Sequence, residues 1–156
     1  MDPYLAAKWL HILSSTLLFG TGIGTAFQMV WAMRGGTAGH VARTAGGVVM
    51  ADWLFTTPAG IIQPLTGLWL AHETGFSLAE PWLLATYALY ALAFLCWAPV
   101  VHLQIRIRDL CRAAPPHAPV PPEAQRLYRI WFALGWPAFT VLVAVFWLMV
   151  TKPAMF

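Results

Sequence analysis

Charge is scarce in this chain. Nine Lys and Arg and six Asp and Glu make up 10% of 156 residues, where a soluble domain carries about 25%. Water is therefore not the solvent for most of this surface. The basic residues form no face interleaved with polar groups, which excludes a nucleic-acid partner. Cysteine is equally sparse: Cys96 and Cys111 are too few for a disulfide framework or a paired-cysteine metal site. No nucleophile stands beside a base, because Ser14 and Ser15 lie in an apolar helical stretch without a hydrolase pattern. No pair of internal repeats of the transporter kind is visible. The start, MDPYLAAKWLHI, lacks a short apolar core and a small-x-small site, so no signal peptide is expected.

What the chain does have is 60% hydrophobic residues, 14% aromatics and a mean hydropathy of +0.67, which makes the lipid bilayer its solvent. The expected fold is all-α, a polytopic membrane four-helix bundle forming one domain over residues 1–156. Its helices are expected at about 4–33, 40–72, 81–107 and 124–150. Trp53 to Ala71 holds no ionisable residue, close to the roughly 20 residues a span requires. Pro58 and Pro64 each remove a backbone donor, so the second helix should be kinked between Thr56 and Leu65. In lipid the carbonyls they free must find partners on neighbouring helices. Residues 40–50 fit either an interfacial turn or an extension of this helix. Gly20 and Gly24 share a helical face and suggest close helix packing. Pro115, Pro116, Pro119, Pro121 and Pro122 imply a stiff, extended third connection, and Pro137 a kink in the last helix. Arg34 and Arg43 flank the first connection, and five arginines flank the third. This bias puts both in the cytoplasm and both termini on the other side, in a bacterial inner membrane.

The polar residues fall into two layers. One contains Lys8, His11, Gln63 and His72, the other Gln28, Asp52, His102 and Arg106. Polar groups facing lipid are costly, so these should meet inside the bundle. A neutral imidazole in a dry bundle suits haem iron, which makes His11 the candidate first ligand and His72 the candidate second. The alternative for His11 is a structural bond to Gln63 or to a carbonyl opened by Pro64. His102 is placed to pair with Asp52.

Lys8-Trp-Leu-His11-Ile and Ala51-Asp-Trp-Leu-Phe-Thr-Thr-Pro through Gln63-Pro-Leu-Thr-Gly67-Leu-Trp resemble the bacterial integral membrane family termed domain of unknown function 2269. The resemblance covers nearly the whole chain and implies four helices without an assigned activity. A more distant likeness is to the HemJ-type protoporphyrinogen oxidases and CopD-type membrane domains. In the HemJ type the matching histidine, here His11, is implicated in haem b binding. The lysine that family uses in a later helix is missing, since no Lys lies between Lys8 and Lys152. Met29, Met33 and Met50 form no dense thioether path of the kind copper transport needs. Three functional expectations follow. The first is haem b binding with electron transfer in the bilayer. The second is a cofactor-free accessory subunit of another membrane protein, and the third an ion or proton pathway through Asp52 and His102.

Overall fold

The structure, a computed structural model, describes residues 2–152. Helix α1 spans Pro3–Gly35, α2 Ala38–Ala51, α3 Thr57–Glu73, α4 Pro81–Ala113 and α5 Pro122–Thr151. A single wide π turn, Asp52–Thr56, joins α2 to α3. The two therefore run as one 36-residue helix, and four helices in all are long and apolar enough to cross a membrane. The expected bundle is present.

Each helix start follows from its local sequence. Asp2 caps α1 by accepting from the Tyr4 amide at 2.9 Å, and Pro3 fits the first turn, where no amide partner exists. Thr37 caps α2, while Pro81 and Pro122 open α4 and α5. Between α1 and α2 the chain turns at Gly36, whose amide donates to Ala32 O at 2.9 Å. A Cβ at Gly36 would lie within 3 Å of that oxygen, so the turn needs glycine.

Residues 40–50 are fully helical, which settles the choice left by the sequence in favour of an extended second helix. Val41, Ala45 and Val48 are completely buried there. Val41 and Ala45 join Met29, Ala32, Ile107, Cys111, Ala124 and Trp131 in one dense cluster. This core occupies the arginine-bearing end of the bundle. It also explains why α4 continues to Ala113 rather than ending near 107: Ile107 and Cys111 face the core while Arg106 and Arg112 remain outside it. The third connection departs from the expected extended spacer as well. It folds over the start of α2, where Ala118 O accepts from the Ala38 amide at 2.9 Å and Pro116 O from the Gly39 amide at 3.0 Å. Carbonyls of the proline-rich connection thus satisfy two of the orphan amides at that helix start. Gly39 permits the approach, since a Cβ there would come to 2.9 Å from Pro116 O.

The second helix is loosened at Asp52–Thr56, a turn before the stretch Thr56 to Leu65 in which a kink is expected, and α3 stays helical through Pro64. Pro58 has no amide to give, and its ring crowds the preceding turn. The chain responds by widening: the Thr57 amide bonds Asp52 O, five residues back, the hydrogen-bond pattern of a π turn. Pro64 deprives Gly60 O of its usual partner four residues on. The Tyr90 hydroxyl of α4 donates to that oxygen at 2.6 Å. The Tyr90 side chain therefore links α3 to α4 at the carbonyl that proline frees.

Tyr90→Phe should leave Gly60 O unpartnered in a dry site and cost about 1–3 kcal/mol. The change would be read as a lower unfolding midpoint in detergent. An unchanged midpoint would mean that another group, such as water, serves that carbonyl.

Candidate functional site

Two polar centres lie inside the bundle, one toward each end. The first joins α1 to α3. The Gln63 amide nitrogen donates to His11 Nε2 at 3.1 Å, which makes Nε2 the unprotonated nitrogen. The proton is then on Nδ1, which donates to Thr66 Oγ1 at 2.9 Å. Thr66 passes its own hydroxyl hydrogen to Ile62 O at 2.8 Å. Ser14, which is buried, donates to Gln63 Oε1 at 2.5 Å and holds the amide in this orientation. The ring lies on Gly67, where a Cβ would come to 3.1 Å from His11 Cε1. His11 is thus a neutral clamp with both nitrogens engaged.

This seat does not fit haem b. Neither ring nitrogen is free for iron, His72 is exposed at the last turn of α3, and neither histidine lines the large cavity of the bundle. Among the described residues no group of three His, Cys, Asp or Glu gathers as a metal site. Lys8 is exposed one turn before His11, with its ammonium 5.9 Å from the Tyr4 ring centroid.

The second centre is that cavity, of about 630 Å³, between α1, the π turn with α3, α4 and α5. It exists because α1 and α5 stand apart. Phe19 of α1 stacks on Phe139 at 4.8 Å and meets Phe146 edge-on at 5.3 Å, which props the two helices open. The walls nearby are small: Gly22, Thr25 and Ala26 on α1, Gly135 and Ala138 on α5. A Cβ built at Gly20, Gly22, Gly24 or Gly135 meets nothing within 4 Å. Gly22 therefore makes space in the cavity wall, and the close helix contact expected of Gly20 and Gly24, which do not line the cavity, is not made within this chain.

The cavity is apolar along most of its length and polar at the end nearer the dense core. There Asp52, 4% exposed, and Gln104, 2% exposed, enter its wall. The Thr56 hydroxyl donates to Asp52 Oδ1 at 2.8 Å. Asp52 Oδ2, Gln104 Oε1 and the indole nitrogens of Trp97 and Trp131 are buried without a hydrogen-bond partner. All four belong to residues that line the cavity, and orphaned buried polar groups are uncommon enough to require a reason.

His102, expected beside Asp52, is exposed on α4. It lies two positions from Gln104, hence on the opposite helical face. Arg106 pairs outside the core with Glu123 at 3.3 Å, and Gln28 is exposed. Sequence reasoning missed Gln104, Tyr90, Thr66 and Gly67. Of these, Gly67 carried the one usable signal, a glycine on the Gln63 face of a helix opposite a histidine.

His11→Ala should strand the Gln63 amide, and Gly67→Val should push the imidazole off its seat. Each is expected to destabilise the protein by about 1–3 kcal/mol, seen as a lowered midpoint in thermal unfolding. Wild-type midpoints in both variants would show that the clamp contributes nothing.

No curated protein and no solved structure matches the chain. Residues 5–153 match the family described as predicted integral membrane protein, DUF2269. The four apolar helices agree with that description, and the chain belongs to this family of integral membrane proteins.

Proposed function

We propose that the protein binds a membrane-dissolved amphiphile in the cavity between α1 and α5, with the apolar body along the helices and the head at Asp52 and Gln104. One observation carries this reading: a largely apolar cavity of about 630 Å³ in which four buried, unpartnered polar groups belong to lining residues. Small-molecule sites span about 300–1,000 Å³ and combine apolar walls with a few convergent polar groups. From Trp131 to Leu142 the α5 wall alone runs through three turns of helix, roughly 17 Å of axis. That length suits an elongated or polycyclic body. Orientation by the arginine bias puts the polar end toward the cytoplasm and both termini on the other side.

Electron transfer through haem b would need His11 to give up Gln63 or Thr66. A reduced b-type spectrum that disappears in His11→Ala would replace the amphiphile reading.

The binding test uses pyrene with protein in lipid nanodiscs, because the cavity tryptophans can transfer excitation to it. The expected result is a saturable component above the lipid background. Gly22→Leu and Gly135→Leu place side chains in the open space and should weaken that component by about 1–3 kcal/mol, the usual cost of overpacking. A purely linear, variant-independent signal would reject the site.

A further inference from the structure

The polar end of the cavity contains one ionisable group that the bundle leaves unbalanced. Asp52 Oδ1 is held by Thr56 at 2.8 Å, while Oδ2 has no partner. Gln104 enters the same wall from α4, and its Oε1 is unpartnered too. Among the described residues no Lys or Arg lines the cavity. From α1 the facing residues are Gly22, Thr25 and Ala26, and α5 contributes no titratable side chain. Tyr90 of α4 is titratable, but its hydroxyl is given to Gly60 O. Arg108 and Arg112 of α4 meet α2 at Gly46, six positions before Asp52, and Arg108 pairs with Asp109 at 2.8 Å.

A lone carboxylate in so dry a place is costly and must be neutralised. A proton can do this: on Oδ2 it makes the carboxyl a neutral donor. A cation can do it instead. A hard metal ion needs six or more oxygen ligands, and the wall offers one carboxylate among aromatic rings. Trp97, Trp131, Phe132 and Trp136 line the same cavity from α4 and α5. Aromatic faces attract organic cations, indole most strongly.

We propose that Asp52 is the head-group site for a lipophilic organic cation, a quaternary ammonium or phosphonium on an apolar body, which displaces the carboxyl proton. Each cation bound releases one proton, so the two ligands compete for a single carboxylate. The inference rests on the cavity reading and specifies the charge of its occupant.

The experiment measures binding of radiolabelled tetraphenylphosphonium to the nanodisc protein across a pH series, with pyrene as the neutral probe in parallel. On the acid side of the Asp52 titration, affinity should rise about tenfold per pH unit and then level off, as linkage to one proton requires. Asp52→Asn should lose phosphonium binding at every pH while its pyrene signal persists, which shows that the variant is folded and its cavity open. If pyrene saturates but phosphonium does not bind, or binds equally well to Asp52→Asn, the cationic head is overturned and the cavity reading stands. A neutral quinone that binds where phosphonium fails would overturn the cationic head in the same way. If neither probe saturates, both the cavity reading and this inference fail.

Discussion

Backbone groups that lose their partners inside lipid are the constraint on which this structure depends. Pro58 and Pro64 remove two amides from one membrane helix, and no water is available there to serve the carbonyls left behind. The chain answers each in a different way. Around Pro58 it widens into the π turn Asp52–Thr56, and at Pro64 it recruits the Tyr90 hydroxyl for Gly60 O. Both answers have consequences beyond the helix itself. The π turn contains both Asp52 and Thr56, whose side chains bond each other at the wall of the cavity. Tyr90 ties α3 to α4 on the other side of the same space. The α1–α3 clamp through His11, Gln63 and Thr66 fixes the opposite flank. Proline, a helix breaker in water, here sets where the bundle is joined and where it stays open.

Packing is divided along the bundle axis. At the arginine-bearing end Val41, Ala45, Ile107 and Cys111 form a tight interior, strengthened by the proline-rich connection folded onto α2. Toward the other end α1 and α5 are separated by the aromatic prop of Phe19, Phe139 and Phe146. Dense packing lies at the arginine-bearing end, and open volume in the apolar stretch. This division lets a membrane protein keep a void without losing its fold. It also gives the void a polar end, because Asp52, Gln104 and Trp131 lie where the two regimes meet.

Much of the fold was legible because lipid imposes simple rules on sequence. Four apolar runs separated by charged or proline-rich segments could form little besides four helices, and the run from Trp53 to Ala71 fixed the second of them. The kink followed from two prolines, and the need to satisfy their carbonyls from the medium. Among site residues, the bond between His11 and Gln63 was one of the alternatives the sequence offered. What escaped was direction: Gln104 and His102 are equally polar neighbours on α4, and only the helix rotation decides that the first meets the cavity while the second is exposed. The glycines of α1 were misleading for the same reason, since spacing shows that they share a face but not what that face meets.

The sequence by itself determined the solvent and the number of helices. These are properties of single segments in contact with lipid or water. Tertiary structure alone decided that both nitrogens of His11 are engaged by α3, that Tyr90 reaches Gly60, and that α1 and α5 part around a cavity ending at Asp52. Each depends on the relative rotation and separation of helices distant in the chain. Those are set by side-chain packing across interfaces, on which hydropathy and spacing carry almost no information.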